Sequence, residues 1–116
     1  MTAEVVEVAL FTADIDAMRR FYERILGVPP EAEWHGGAVF AAGGTKILLH
    51  EQMPVHESGG PPNEDHVALG ASDLDRSCTE LRAGGLELLV EPRDYPWGRS
   101  AYLRDPDGRL IELAQL

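Results

Sequence analysis

Residues 8–16, VALFTADID, return 59 positions later as residues 67–75, VALGASDLD. In both copies a short apolar run precedes an Asp-x-Asp motif. Its first Asp suits the position before a helix, because a carboxylate accepts hydrogen bonds from the free N–H groups there. Glycines at positions 27 and 84–85 stand where each helical pattern ends. The sequence therefore predicts a tandem repeat whose copies each open with a strand and a helix.

Both helical segments carry apolar side chains at helical spacing. These are Ile15, Met18, Tyr22 and Ile25 in the first copy, and Leu74, Cys78 and Leu81 in the second. We expect these side chains, together with Phe21, to lie in the core. Because Cys78 belongs to this apolar stripe, we interpret it as a buried structural thiol rather than a nucleophile.

Three short strand-like segments follow each helix. They lie at 30–35, 37–42 and 45–51 in the first copy, and at 86–91, 99–104 and 109–115 in the second. The pattern predicts two βαβββ modules, about 1–52 and about 65–116, joined by a linker at about 53–64 that is rich in glycine and proline. Neither module is large enough to bury a sufficient hydrophobic core by itself, so we expect one α+β domain over residues 1–116.

Composition excludes several classes of function. The 116 residues include 20 Asp and Glu against 10 Lys and Arg, a net charge of −10. This balance argues against nucleic acids and anionic membrane surfaces, which both attract basic patches. No apolar run approaches the roughly 18–20 residues of a membrane helix. The N-terminus does not resemble a signal peptide, and the single cysteine forms no internal disulfide, so we expect a cytoplasmic protein.

Four positions of the repeat are predicted to converge on one side of the sheet. Strand periodicity places Glu7 on the face opposite the aliphatic one that should meet the helices. His66 is equivalent to Glu7 in the repeat, and the closing strands align at an offset of 64, which pairs Leu48 with Glu112. Glu112 interrupts an apolar run, where an acid is costly unless it is solvated, paired or bound to a metal.

A histidine with two carboxylates is a donor set for a divalent ion such as Mn, Fe, Ni, Zn or Mg. We therefore predict Glu7, His66 and Glu112 as metal ligands, and we find no evident site for an organic cofactor. The plainer interpretation treats His66 as a cleft histidine without a metal, and the two acids as solvated or ion-paired groups.

Three groups of motifs are similar to those of the vicinal oxygen chelate superfamily. They are Asp14-Ile15-Asp16 with Phe21-Tyr22 and Leu26-Gly27, then His66-Val67-Ala68-Leu69, and finally Asp105-Pro106-Asp107-Gly108 with Ile111-Glu112-Leu113. That superfamily groups glyoxalase I, extradiol dioxygenases, fosfomycin-resistance transferases and bleomycin-resistance proteins. The resemblance implies paired βαβββ modules that form an eight-stranded, incompletely closed mixed barrel around a cleft. The cleft is completed either within one chain or across a homodimer.

The resemblance also implies ligand positions. His66 and Glu112 match the family pattern as they stand. Glu7 occupies a position usually held by His or Gln. Leu48 occupies one often held by a carboxylate or amide, although fosfomycin-type sites lack a ligand there. His50, one pleat beyond Leu48, is a candidate replacement ligand.

Two uses of the cleft follow from the resemblance. In the first, a divalent ion chelates adjacent oxygens of a small substrate, and Glu7 or Glu112 moves a proton in a lyase or isomerase reaction of the glyoxalase type. In the second, a metal-free protein of the bleomycin-resistance type sequesters a cationic aromatic ligand, with the same two acids as cation partners. Such proteins are small, acidic and dimeric, so a homodimer is expected. The candidate cleft walls are Phe11, Trp34, Leu48, Trp97, Arg99 and Tyr102.

Overall fold

The computed structural model describes residues 4–52 and 63–116. The first module consists of β1 (Glu4–Thr12), α1 (Ile15–Leu26), β2 (Ala32–Trp34), β3 (Gly37–Ala42) and β4 (Thr45–Glu51). The second consists of β5 (His66–Ala71), α2 (Leu74–Ala83), β6 (Val90–Tyr95), β7 (Gly98–Arg104) and β8 (Leu110–Gln115). This order has the predicted βαβββ repeat. The predicted linker, apart from residues 63 and 64, lies outside the described residues.

The eight strands form a mixed sheet in the hydrogen-bonded order β2-β3-β4-β1-β5-β8-β7-β6. Strands β1 and β4 run parallel, as do β5 and β8, whereas the pairs β3–β4 and β7–β8 are antiparallel. Because β2 and β6 are edge strands, hydrogen bonds do not close the sheet. The predicted α+β class with an eight-stranded, incompletely closed mixed sheet is confirmed.

The chain divides into two compact units. The first unit is Glu7–Asp65, and the second joins the start of β1 to His66–Leu116. Each unit contains one helix packed on its own strands. None of the described helices is long and apolar enough to cross a bilayer.

Both helices begin at the predicted aspartates. The Asp14 carboxylate accepts a hydrogen bond of 3.0 Å from the Ala17 N–H, and the Asp73 carboxylate accepts one of 3.2 Å from the Arg76 N–H. Each carboxylate satisfies an N–H group that has no partner within the helix. Gly27 ends α1 at a φ of 71°, a left-handed conformation that favours glycine.

The core of the first unit corrects the predicted apolar stripe of α1. Buried Ala38, Phe40 and Leu49 are covered by α1 through Ile15, Met18, Tyr22 and Leu26. The prediction was wrong for Ile25 and Phe21, which are 62% and 56% exposed. Leu26 lies four residues after Tyr22 and so stays in the row that faces the sheet, whereas Ile25 is rotated toward solvent.

The core of the second unit follows the prediction. Ala71, Leu74, Cys78, Ala101 and Leu113 are buried together, with Leu81 packed against them. Cys78 has no exposed surface, and burial raises the pKa of its thiol. The interpretation of Cys78 as a buried structural thiol is confirmed.

The strand predicted at 86–91 was wrong, because β6 spans Val90–Tyr95 instead. The Leu-rich segment before β6 packs Leu88 against the core of the second unit and donates the Leu89 N–H to the Tyr102 carbonyl, but it joins no ladder. The register of β6 against β7 then shifts between Val90 and Arg93. An apolar run was therefore mistaken for the strand that follows it.

Candidate functional site

His66 and Glu112 lie together on the face of the second unit's strands that points away from α2. The parallel register of β5 and β8 pairs Ala68 with Glu112, and His66 lies two residues before Ala68 on the same face. The His66 Nε2 and Glu112 Oε1 atoms are 2.9 Å apart, and the two side chains are only 5% and 7% exposed. The structure thus brings two of the predicted ligands into a buried hydrogen bond.

Ser100 completes the surroundings of the Glu112 carboxylate. Its hydroxyl donates a hydrogen bond of 2.8 Å to Glu112 Oε2, and Ser100 is 1% exposed. Both carboxylate oxygens are therefore hydrogen-bonded, which makes burial of the acid tolerable. Ser100 was not predicted from the sequence. The available signal was its spacing of two residues from Tyr102 in a predicted strand.

An aromatic row, formed by Trp97, Tyr95 and Tyr102, leads to His66. The buried ring of Tyr102 meets the His66 ring edge to face at 5.9 Å, and Tyr95 meets Tyr102 in the same manner at 6.2 Å. Tyr95 stacks flat on Trp97 at 4.7 Å, and Trp97 is 59% exposed. Tyr95 was missed because its strand was predicted four residues too early.

The Tyr95 phenol has a raised pKa. Burial is the main cause; the Arg93 guanidinium acts in the opposite direction, and the negative charge of Glu112 adds to the increase. Burial and the Glu112 charge therefore disfavour the ionised form of the phenol. The influence of Glu112 on this pKa links the aromatic row electrostatically to the His66–Glu112 pair.

Arg99, predicted as a cleft residue, lies on the opposite face of β7. Its guanidinium donates two hydrogen bonds of 2.9 and 2.8 Å to Asp75 of α2 and one of 3.0 Å to Asp94. The hydrogen bond with Arg99 lowers the pKa of the Asp75 carboxyl. Arg99 thus fixes α2 to its strands, and we give it no place in the proposed site.

In the first unit, Glu7 and Leu48 occupy the face that points away from α1. The parallel register of β1 and β4 pairs Ala9 with Leu48, just as β5 and β8 pair Ala68 with Glu112. The structural register therefore repeats the sequence offsets of 59 and 64 residues. Glu7 and Leu48 are the counterparts of His66 and Glu112 in the other module.

His50, Phe11 and Trp34 form a second group on this face of the first unit. His50 donates from Nδ1 to the Glu51 carbonyl at 2.7 Å, and its ring centre is 5.3 Å from that of Phe11. Gly37 pairs with both His50 and Trp34 across neighbouring strands. The Trp34 indole covers Gly37 so closely that a Cβ there would lie 2.4 Å from the ring.

His66 and Glu112 are residue types that can act as ligands of a divalent ion. An imidazole nitrogen and a carboxylate oxygen are suitable donors. In the structure the His66 Nε2 and Glu112 Oε1 atoms are joined to each other by a hydrogen bond of ordinary length, 2.9 Å. Within residues 4–52 and 63–116, no three His, Cys, Asp or Glu side chains gather into a group that could hold an ion.

The comparisons with known proteins agree with these motifs. Residues 4–113 match the family model of the Glyoxalase/Bleomycin resistance protein/Dioxygenase superfamily. A virulence protein of Salmonella typhimurium is 30% identical over 114 residues, which cover 91% of this chain and 79% of that protein. A metallothiol transferase of Shouchella clausii is 29% identical over 105 residues, which cover 87% and 72% of the two chains.

A similar solved structure is the methylmalonyl-CoA epimerase of Mycobacterium tuberculosis. It is 27% identical, with a TM-score of 0.70 and coverage of 96% of this chain and 86% of that one. The resemblance inferred from the motifs is confirmed. The chain belongs to the Glyoxalase/Bleomycin resistance protein/Dioxygenase superfamily.

Proposed function

We propose that this chain is a divalent-metal-dependent lyase or isomerase that acts on a small substrate with adjacent oxygen atoms. The buried His66–Glu112 pair carries the proposal. A carboxylate in an apolar strand is costly unless its charge is used or neutralised. Here the Glu112 carboxylate lies 2.9 Å from His66 Nε2 and its side chain is 7% exposed, so a carboxylate oxygen and an imidazole nitrogen, which are donors that transition metals accept, stand side by side in a desolvated place.

His66 and Glu112 would hold the ion. Glu7, the counterpart of His66 in the repeat, and His50 belong to the first unit and stay predictions from the sequence. Ser100 orients Glu112 by hydrogen-bonding to its other oxygen. When bound, a divalent ion would act as a Lewis acid on the adjacent oxygens of the substrate.

Lyase and isomerase reactions of this type require a group that removes a proton and returns it. Glu7 or Glu112 is proposed for this role when its carboxylate is displaced from the ion, since a positioned carboxylate can exchange a proton with a substrate carbon. Tyr95 contributes a hydrogen-bond donor, because its raised pKa keeps the phenol protonated. The stacked Tyr95 and Trp97 rings offer a flat surface for the apolar part of a substrate.

Two relatives support this class of reaction. The protein from Shouchella clausii is named a metallothiol transferase, and the structurally similar protein from Mycobacterium tuberculosis is an epimerase, which is a kind of isomerase. Together they favour a metal-assisted reaction and an isomerisation as the first activities to assay.

Calorimetric titration of tag-free protein with Mn²⁺, Ni²⁺ and Zn²⁺ tests the proposal. We expect at least one ion to bind more tightly than millimolar, a binding free energy beyond about −4 kcal/mol. Glu112→Gln preserves the shape of the side chain and removes its charge, so affinity should fall at least tenfold, or ~1.4 kcal/mol. Ser100→Ala should reduce affinity by about 10–100-fold through loss of carboxylate orientation.

Glu80→Gln and His35→Ala are matched controls, because Glu80 lies on the surface of α2 and His35 in an exposed turn. Neither should change metal affinity, whereas His66→Ala should reduce it. If wild-type protein binds none of the ions, or if Glu112→Gln binds as tightly as wild type, the proposed metal site is wrong.

The Tyr95–Trp97 stack favours a second candidate, metal-free sequestration of a cationic aromatic ligand. The two rings are parallel within 1°, and Trp97 is 59% exposed. A flat aromatic surface binds cations and planar rings, and a net charge of −10 attracts cations from solution. In this case Glu7 and Glu112 would be cation partners rather than ligands.

Fluorescence titration of metal-free protein with proflavine, a planar aromatic cation, tests this candidate. Trp97→Ala should weaken binding at least tenfold, or ~1.4 kcal/mol, and Phe21→Ala, which removes an exposed aromatic ring on the outer face of α1, should leave it unchanged. Absence of binding to wild-type protein, or equal loss in the two variants, would reject a role for the Tyr95–Trp97 stack.

A further inference from the structure

Arg99 lies on the face of β7 that points toward α2, and its side chain joins three elements of the second unit. The Nε and Nη2 atoms donate hydrogen bonds of 2.9 and 2.8 Å to the two carboxylate oxygens of Asp75, in the first turn of α2. The Nη1 atom donates one of 3.0 Å to Asp94 of β6. A guanidinium that meets both oxygens of one carboxylate fixes direction as well as distance. Arg99 therefore ties β6 to the start of α2.

The pairing of β6 with β7 is short and interrupted. β6 is an edge strand, and its register against β7 shifts between Val90 and Arg93. Pro92 lies at this irregularity and has no N–H group to donate. Beyond it, residues 93–95 are the part of β6 that pairs with β7. Side-chain contacts therefore carry much of the anchoring of this hairpin tip.

Asp94 and Tyr95 are neighbours in β6, so they point to opposite faces of the sheet. Asp94 meets Arg99 on the face toward α2, directly across the ladder. Tyr95 lies on the other face, where its ring stacks on Trp97 at 4.7 Å and meets Tyr102 edge to face at 6.2 Å. A displacement of the backbone at Asp94 therefore moves the Tyr95 ring as well.

The cross-strand neighbour of Tyr95 does not hold its ring. Tyr95 pairs with Gly98, which has no side chain to pack against an aromatic neighbour. Trp97, which does stack on Tyr95, belongs to the two-residue turn of the hairpin and is 59% exposed. The position of the stack thus depends on how the hairpin tip is anchored.

We propose that Arg99 is a positioning residue, which acts from the back of the sheet to hold the Tyr95–Trp97 stack in place. It touches neither ligand nor metal, and it acts through Asp94 by fixing the hairpin to Asp75 of α2. The inference rests on the proposed use of the Tyr95–Trp97 stack as a ligand surface. A surface held in its binding geometry loses less conformational entropy when a ligand binds.

Acrylamide quenching of Trp97 emission tests the inference without any ligand. In a Trp34→Phe background, Arg99→Gln should raise the quenching constant and shift the emission to longer wavelength, because a loosened stack exposes the indole. Arg99→Lys keeps the charge but loses the bidentate contact with Asp75, so it should give an intermediate result. Arg76→Gln is the matched control, since it removes an exposed ion pair of 3.2 Å within α2 and should change neither property.

Asp94→Asn is the second variant, which is needed if Arg99→Gln does not fold. It removes the charge that holds the hairpin and leaves the contact between Arg99 and Asp75 in place, and it should also raise the quenching constant. Asp107→Asn is its control, because Asp107 forms an exposed ion pair of the same length, 3.0 Å, with Arg109 in a different turn. Circular dichroism checks folding. A role in stability alone would lower the urea midpoint and leave the quenching of the folded protein unchanged.

Ligand measurements separate this inference from the proposed function. Arg99→Gln should bind proflavine about threefold more weakly than wild type, in keeping with the modest energies of exposed ion pairs. Its affinity for Mn²⁺, Ni²⁺ and Zn²⁺ should not change. If wild-type protein binds no proflavine, the sequestration function fails and the quenching result still decides the role of Arg99. Wild-type quenching in folded Arg99→Gln or Asp94→Asn, an equal change in Arg76→Gln, or unchanged proflavine affinity where wild-type protein binds it, would overturn that role.

Discussion

Glu112 keeps both carboxylate oxygens hydrogen-bonded although it is 6% exposed. Hydrogen bonds to a charged group contribute about 1.5–3 kcal/mol each, whereas a buried charge without them would destabilise the fold. His66 and Ser100 therefore make the acid compatible with an apolar strand, and they hold it in one orientation. A fixed and desolvated carboxylate is suited both to metal binding and to proton transfer.

The Tyr95 phenol should titrate above its ordinary pKa, and Glu112→Gln should move the pKa back toward that value. Burial and the Glu112 charge both raise the pKa. In the pH range between the unfolded and the folded pKa, Tyr95 stays protonated in the folded protein and ionises in the unfolded chain. Its contribution to folding stability is therefore complete below about pH 10 and is lost as the pH rises through the pKa of the folded protein. Ultraviolet difference titration measures the ionisation, with Glu80→Gln as the control. An unchanged pKa in Glu112→Gln would contradict the coupling.

Gly37→Ala should displace the Trp34 indole, because the added Cβ would lie 2.4 Å from the ring. Overpacking of this kind destabilises by about 1–3 kcal/mol. Urea unfolding followed by Trp34 emission, in a Trp97→Phe background, measures both effects. Gly44→Ala is the control, since a Cβ at Gly44 meets nothing within 4 Å. Unchanged emission and stability in Gly37→Ala would contradict this prediction.

The sequence allowed prediction of some of these residues and not others, for physical reasons. Glu112 was detectable because an acid interrupted an apolar run, and His66 because the repeat made it the equivalent of Glu7. Ser100 and Tyr95 were not detectable, since their contacts depend on the register of antiparallel strands and on an irregularity between Val90 and Arg93. An unusual residue in a strand can be recognised from the sequence, but its neighbours on other strands can be identified only when the pairing register of those strands is known.

At the scale of elements, the two helices begin in the same way, at an aspartate cap, and differ in the side chains that they expose to solvent. Each begins at an aspartate cap and covers the core of its own unit. The amphipathic pattern gave the helix bounds correctly, because caps and glycine stops are local signals. It failed at Phe21 and Ile25, because apolar residues at helical spacing do not by themselves show which of them face the sheet; Tyr22 and Leu26 do, and Phe21 and Ile25 are exposed.

Replacement of either cap should cost about 1 kcal/mol of unfolding free energy. Asp14→Ala and Asp73→Ala each leave an N–H of the first helical turn without its side-chain partner. Asp14→Ser and Asp73→Ser should retain most of the stability, since a hydroxyl also caps well. Urea denaturation measures all four variants. If alanine is as stable as serine at these positions, the caps do not contribute as inferred.

At the scale of the whole molecule, the repeat accounts for the regularity of the fold and for the strand faces on which the candidate site residues lie. The same register pairs β1 with β4 and β5 with β8, so equivalent positions lie on equivalent faces. One module supplies the His66–Glu112 pair, and the other supplies Glu7 and the apolar Leu48 at the matching positions. The two modules thus share one backbone arrangement, but they carry different side chains on the sheet faces that point away from the helices.

The remaining sequence prediction at this scale, a single domain over residues 1–116, has a thermodynamic consequence. Among the described residues, the core cluster of the first unit has three buried side chains, Ala38, Phe40 and Leu49, and a chain of about 60 residues is marginal by itself. We therefore expect one cooperative unfolding transition. Trp34 emission in a Trp97→Phe variant reports on the first unit, and reaction of the buried Cys78 thiol reports on the second. Both probes should give the same urea midpoint. Two separated midpoints would instead establish the modules as independent folding units.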